Sequence, residues 1–417
     1  MNRALYSLIG YLLLPVLLLR LLVKSFNNSA YRQDMVQRLG WVYANTVPVI
    51  WIHCVSVGEF RAAVVLIDRL LERHPGQKIL ISSTTPTGFA AVRAHYGDQV
   101  LQVYFPFDLP WVIKRYIKRI KPKLCILLET EIWPNLIHQL EQQQIPALLV
   151  NARLSERSLK KYQRFAPKLA KQTLNKLTKI AAQNTNSAQR FVSLGAAQSK
   201  VINAGNIKFE QAPNSDHNTN QVLSEIVGDR TCLVCASTHE GEEAKILESF
   251  KQIKAQLGDM LLVIVPRHFE RFDHVFKLIQ NTGLSVVRRS SGQPAKTAEV
   301  LLGDSMGEMM SYFHIADVVF VGGSLNNTGG HNMLEPAALA KPIIFGPNVF
   351  NFSEITQALL AAEAAIQVKD ASGLLTTVQT LLNSPKTAHS LGANAKGYVD
   401  ANQGAVDTLE QLITQAL

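Results

Sequence analysis

An α/β protein built from two doubly wound halves is what this sequence predicts, and three observations predict it. Apolar, β-prone runs alternate with helical patterns from Pro48 almost to the C-terminus. Those runs are apolar on both faces, as parallel strands covered by helices must be. At 417 residues and 47% apolar composition the chain can bury two cores of ordinary size, and a polar, patternless stretch, "NSDHNTN", falls near its middle. The expected division is a membrane-anchor segment at 1–28, a first Rossmann-like domain at 29–205, and a second at 206–417 whose last helix can fold back onto the first. The hinge is expected between Gly205 and Asp229.

The chain begins with "ALYSLIGYLLLPVLLLRLLV" (Ala4 to Val23), close to the ~20 apolar residues that span a hydrocarbon core. A signal peptide needs a small-residue cleavage site, and "KSFNNSAYRQ" offers at most a poor one. A buried core helix would be unusually apolar for a terminus. An uncleaved anchor fits best, with Arg3 at one end and Arg20, Lys24, Arg32 and Arg38 at the other. Pro15 and Arg20 leave open whether it spans or lies in the interface. The heavier positive flank follows the segment, so the bulk of the protein is expected in the cytoplasm.

The first strand set reads "PVIWIHCV", "KILISST", "LQVYFPF", "KLCILLE", "ALLVNA" and "KIAAQN", with helices such as "FRAAVVLIDRLLERH" between. Residues 1–205 carry 27 Lys/Arg against 10 Asp/Glu, a balance of +17, whereas 206–417 carry 15 against 22, a balance of −7. The first half should therefore meet something anionic. Nucleic acid is not favoured, since neither interleaved aromatics nor a nucleic-acid motif appears. "KRYIKRIKPK" (Lys114 to Lys123) and the stripe Arg157, Lys161, Arg164, Lys168 and Lys171 are either solvated faces or surfaces for anionic headgroups. Pro167 must kink or divide the second of them.

The second strand set reads "TCLVCAS", "LLVIVP", "LSVVRR", "AEVLLG", "DVVFVGG", "KPIIFG" and "AAIQV". Cys54, Cys125, Cys232 and Cys235 sit in these apolar runs and read as reduced core residues. A zinc or redox role for Cys232-x-x-Cys235 lacks a second pair, so no metal is expected there.

In open α/β sheets ligands bind beyond the carboxyl ends of the strands, and the polar segments lie there: Glu59, "SSTTPTG", "ETEIWPN" and "NARLSERS" in the first half, "STHEGEE", "PRH", "GDSMGEM" and "GGSLNNTGGHNMLEPAA" in the second. Both sets are expected to face one cleft. The glycines from Gly322 and Gly323 onward, followed by a helix opening near Asn332, suit an anion, while no GxGxxG or GxxxxGK[ST] motif is present. Arg267 and His268, just after a strand, are candidate phosphate ligands. Ser56-Val-Gly-Glu59 reads two ways: a capping box with Ser56 and Glu59 bonding each other's amides, or a capping Ser56 beside a catalytic Glu59.

These segments, in this order, resemble the 3-deoxy-D-manno-octulosonic acid (Kdo) transferases of lipopolysaccharide assembly, glycosyltransferase family 30, over essentially the whole chain. The resemblance implies a GT-B fold and an inverting, metal-independent transfer with no cofactor. It implies a CMP-Kdo donor on the C-terminal half and a lipid A precursor acceptor reached from the anionic cytoplasmic face of the inner membrane. It implies Glu59 as general base, with Glu129 and Lys208 assisting the transition state. Donor binding is expected at Pro266, Arg267 and His268, at Met306, Gly307 and Glu308, at Gly322 and Gly323, and at Asn332, Met333, Leu334 and Glu335. The acceptor side is expected at Ser56, Gly58 and Arg153. Met333 departs from the pattern, which has proline there. Another membrane-associated GT-B transferase using a UDP- or GDP-sugar, an epimerase or phosphorylase of this fold, and a non-catalytic saccharide binder remain the competing functions.

Overall fold

A computed structural model describes residues 1–32, 34–210 and 216–417. The chain divides into two units, Met1–Gln211 with Gln403–Leu417, and Ala212–Asn402. Each unit carries one parallel sheet of 7 strands covered by helices, the α/β architecture that the alternating runs predict.

In the first unit the strands are β1 (Val49–His53), β2 (Lys78–Ser83), β3 (Leu101–Tyr104), β4 (Pro122–Leu128), β5 (Ala147–Ala152), β6 (Lys179–Ala182) and β7 (Val201–Asn203). Their order is β3-β2-β1-β4-β5-β6-β7, so the chain reverses direction of winding at β1/β4, where doubly wound sheets open a crevice. Strand β1 shows why both faces must be apolar. Val49 and Trp51 enter one core, with Tyr116 and Leu127, and Ile50 and Ile52 enter the other, with Leu66 and Ile126, as a period of two requires. Several helices here open with proline in the first turn, at Pro86, Pro110, Pro134 and Pro167, where its missing N–H costs no bond. Pro167 divides the basic segment into Glu156–Phe165 and Pro167–Leu174, and no residue of the first of these helices is buried.

The second sheet contains β8 (Cys232–Thr238), β9 (Leu261–Pro266), β10 (Val286–Arg288), β11 (Val300–Leu302), β12 (Val318–Val321), β13 (Ile343–Phe345) and β14 (Ile366–Gln367). It is ordered β10-β11-β9-β8-β12-β13-β14. All four cysteines are free and buried, and among the described residues no group of three or more His, Cys, Asp or Glu could hold a metal ion.

Two expectations need adjustment. The expected polar hinge partly becomes a helix, His217–Val227, because Asp216 caps it through the amides of Asn218 and Thr219; residues 211–215 of that hinge lie outside the described residues. β7 joins the first sheet as an edge strand that no apolar run announced. The last helix, Ala405–Ala416, belongs to the first unit. There Arg69 donates to Asp407 at 2.7 Å, Glu210 accepts from the amide of Val406 at 2.8 Å, and Val406, Leu409 and Ile413 fill the core beside Leu66.

The N-terminal helix, Arg3–Asn27, runs through Pro15 without a break. Its most apolar window has a mean hydropathy of 2.1, with 6% of that window buried. Leu12, Val16 and Leu19 stand exposed. The helix is long and apolar enough to cross a membrane.

Candidate active site

In the first unit, three carboxylates gather at the carboxyl ends of β1 and β4. Glu59 lies in the first turn of the helix Val57–Arg73, whose N-cap is Ser56: the Glu59 amide donates to Ser56 Oγ at 3.4 Å. The reciprocal half of a capping box is absent at Ser56. Glu59 Oε2 instead accepts from the amide of Val55 at 2.6 Å. The two roles suggested by the sequence are thereby compatible, because one carboxyl oxygen is fixed to the backbone and Oε1 has no protein partner among the described residues. Burial pushes the Glu59 carboxyl up to about 8; the Val55 amide opposes the rise, Glu129 and Glu131 add to it, and Lys208 lowers it. A carboxylate with this balance is a far stronger base than an ordinary glutamate.

Glu129 follows β4 in a left-handed conformation, φ 53°, a costly backbone for a residue with a side chain. Its amide donates to Val150 O at 3.0 Å and its carbonyl accepts from the Arg153 amide at 3.1 Å, which holds the turn. Glu129 Oε1 receives Lys208 Nζ at 2.8 Å. Arg153 is half-buried, and among the described residues its guanidinium has no protein partner. Gly58 is exposed, and a Cβ added there would meet nothing nearer than Ser56 Oγ at 3.8 Å, so the space beside Glu59 is open.

Sequence reading did not single out the residues behind this group. Glu131 Oε2 accepts from Trp133 Nε1 at 2.7 Å and lies 3.7 Å from His53 Nε2. His53 is fully buried, stacked on Phe105 at 3.7 Å, with Nδ1 2.9 Å from Ser82 Oγ. The signal was present, since both residues sit inside the quoted segments "PVIWIHCV" and "ETEIWPN", but only the fold brings the two strand ends together.

The second unit is wired differently. Glu242, fully buried, accepts from the amides of His239 (2.9 Å), Gly323 (2.7 Å), Ser324 (3.0 Å) and Leu325 (2.9 Å). The successive amides of the glycine-rich loop form a nest for an anion, and the anion in it is the protein's own. Gly323 thus serves first to receive Glu242, and Gly322 packs where a Cβ would stand 2.7 Å from Ser237 O. Glu243 holds Arg271 through both carboxyl oxygens, at 2.7 and 3.1 Å. Glu308, flanked by exposed Met306 and by Gly307 at φ 84°, accepts from Arg289 at 3.1 Å and Ser305 at 2.5 Å. In the turn that enters the short helix Leu334–Ala338, Asn332 Oδ1 accepts from the Leu334 amide at 3.2 Å and its Nδ2 donates to Glu335 Oε1 at 3.0 Å. Met333, where proline was expected, is fully buried.

With these acids satisfied internally, Arg267 stands out. It follows Pro266 at the end of β9, half-buried, its amide on Thr238 O at 3.0 Å and its guanidinium without a protein partner among the described residues. Beside it, His239 and His331 stack in parallel with Nε2 atoms 2.8 Å apart, and His268 meets His239 edge-on at 5.3 Å. Burial, the neighbouring histidines and Arg267 push His331 down to about 4, and burial lowers His239 as well. Both shifts disfavour added positive charge on the pair, and Arg267 is a cation without an ion-pair partner among the described residues. Such a group binds phosphate or carboxylate.

The model of the 3-deoxy-D-manno-octulosonic-acid transferase (Kdotransferase) family matches residues 33–211. A 3-deoxy-D-manno-octulosonic acid transferase of Haemophilus influenzae is 39% identical, covering 99% of this chain and 98% of its own. One from Bordetella pertussis is 35% identical over 87% of this chain and 86% of its own. Among solved structures, the UDP-GlcNAc 2-epimerase of Neisseria meningitidis bound to UDP-GlcNAc matches with a TM-score of 0.60 and 15% identity, covering 88% of this chain and 100% of that one; this likeness concerns the fold.

Proposed function

The chain belongs to the Kdo transferase family, glycosyltransferases of lipopolysaccharide synthesis, and on that premise we propose that it transfers Kdo from CMP-Kdo to a hydroxyl of a lipid A precursor. Transfer proceeds with inversion, without a metal ion, on the cytoplasmic side of the bacterial inner membrane. The helix Arg3–Asn27 holds the protein there, and the exposed basic helix Glu156–Phe165 adds attraction for anionic headgroups.

In this mechanism the acceptor oxygen attacks the anomeric carbon of Kdo as Glu59 Oε1 takes its proton. The bond from that carbon to the phosphate oxygen breaks, and its electron pair leaves with CMP. A phosphate monoester is a good leaving group, so the donor side needs charge stabilisation more than an acid. Arg267 is the group suited to hold donor charge, Lys208 a second one, and such electrostatic terms rival the base in size. Glu129 keeps Lys208 in place, and Arg153 is free for an acceptor phosphate or hydroxyl.

The observation that carries the reading is the state of Glu59: one oxygen tied to Val55, the other without a partner, and the carboxyl pushed up to about 8. The test is Glu59→Gln assayed with CMP-Kdo and a lipid A precursor, with the product followed by mass spectrometry. Glutamine still accepts from Val55 but cannot take the proton, so transfer should fall by about 10²- to 10⁴-fold while CMP binding persists. Normal turnover in that variant would reduce Glu59 to a helix cap, and UDP or GDP competing better than CMP would reassign the donor.

A further inference from the structure

The first two turns of the N-terminal helix are built differently from the rest of it. Arg3, Tyr6, Ser7 and Gly10 follow the i, i+3, i+4, i+7 spacing of one helix face, and they are the positions among the first ten that are withdrawn from solvent. Each meets the first unit. Arg3 donates to Asn135 Oδ1 at 3.3 Å, and the hydroxyl of Ser7, itself buried, lies 2.9 Å from the same oxygen. Tyr6 interacts electrostatically with the Asp108 carboxylate. At Gly10 an added Cβ would sit 2.9 Å from Leu109 Cδ2, so a side chain there would require the leucine to shift.

The receiving groups are equally specific. Asn135 is fully buried and donates to Asp108 O at 2.7 Å. The two oxygens of Asp108 accept from the amides of Asn135 (3.0 Å) and Leu136 (2.8 Å), capping the helix Pro134–Gln142. That helix starts at the end of the Glu129–Trp133 segment, in which Trp133 holds Glu131 and Glu129 holds Lys208. Met1 and Tyr6 also share with Glu131 and Trp133 the wall of a cavity of ≈ 330 Å³.

A tether needs apolar length and nothing more, whereas buried hydrogen bonds fix geometry. We propose that the first two turns of this helix are a positioning element of the active site: through Asn135 and Asp108, residues Arg3, Tyr6 and Ser7 set the Glu129–Trp133 segment, so that the helix acts in turnover as well as in attachment. This inference rests on the Kdo-transfer reading above.

The test replaces residues 1–27 of the full chain by an unrelated apolar helix of equal length, then grafts Arg3, Tyr6, Ser7 and Gly10 onto that helix. Membrane attachment, CMP binding and transfer to lipid acceptor in detergent micelles are measured for wild type, chimera and graft. The chimera should attach and bind CMP as wild type does, yet turn over about 10²-fold more slowly, the loss expected from a displacement of roughly 1 Å at a reacting group. The fall should lie in kcat more than in KM, and the graft should restore it. A chimera as fast as wild type, or a slow chimera that the graft does not rescue, overturns the inference. A wild-type protein that transfers no Kdo would end the Kdo reading instead, a result distinguishable from either.

Discussion

The two units share a sheet type and differ in how they treat acidic side chains. In the second, Glu242, Glu243, Glu308 and Glu335 are each bound by the protein's own donors, and an arginine is left without a partner. In the first, Glu59 keeps one oxygen free among two further carboxylates. The net charges run the other way, +17 for residues 1–205 and −7 for 206–417. Total charge therefore describes the outer surface of each half, where the exposed lysines and arginines lie, and says little about the field at its site. A base is made by leaving acid uncompensated in a partly buried place, and an anion site by neutralising acid locally.

Removing the free carboxylate gives the largest effect. Glu59→Gln should lower kcat by about 10²- to 10⁴-fold and leave CMP affinity unchanged by isothermal titration calorimetry; a loss of CMP affinity instead would blur the division of labour between the units. Glu242→Ala strikes the opposite arrangement. It strands four amide donors at about 1–3 kcal/mol for each one left buried and unsatisfied, so calorimetry should show a lower Tm for the second unit and weaker CMP binding. A variant that melts like wild type would mean that water satisfies the loop. The smallest effect belongs to the surface: reversing Arg157, Lys161 and Arg164 should weaken binding to anionic vesicles by about 1 kcal/mol per charge, read by cosedimentation, with turnover in detergent unchanged. If turnover falls too, the basic helix is part of the site.

How much of this was legible in the sequence depends on range. The strands were, because a buried parallel strand such as β1 carries an unbroken apolar run, "VIWI"; β7 was not, since "VIN" is three residues long with an exposed Asn203. Ser56 as cap follows from local spacing, and Glu59 as the proposed base from the resemblance, yet the amide that Glu59 takes, at Val55, depends on how the strand enters the helix. The glycine-rich loop was legible as an anion nest, but its occupant lies 81 residues away at Glu242, and nothing local names it. The docking face of the N-terminal helix was hidden for the same reason. Arg3 reads as the flank of an apolar segment and Ser7 as part of it until Asn135, 128 positions beyond Ser7, comes to meet them.

The account turns on Glu59, and the pH dependence of kcat/KM for Kdo transfer tests it most directly. A carboxyl raised to about 8 is protonated below that pH and cannot accept the acceptor's proton, so the rate should climb with pH and level off above about 8. The same shift has a thermodynamic sign: ionising Glu59 in the folded state costs stability between its ordinary range and 8, so Glu59→Gln should gain in Tm relative to wild type as pH rises through that window. A rate already flat from pH 5 upward, with wild type and variant melting in parallel, would show an ordinary carboxylate there and would contradict the role assigned to Glu59.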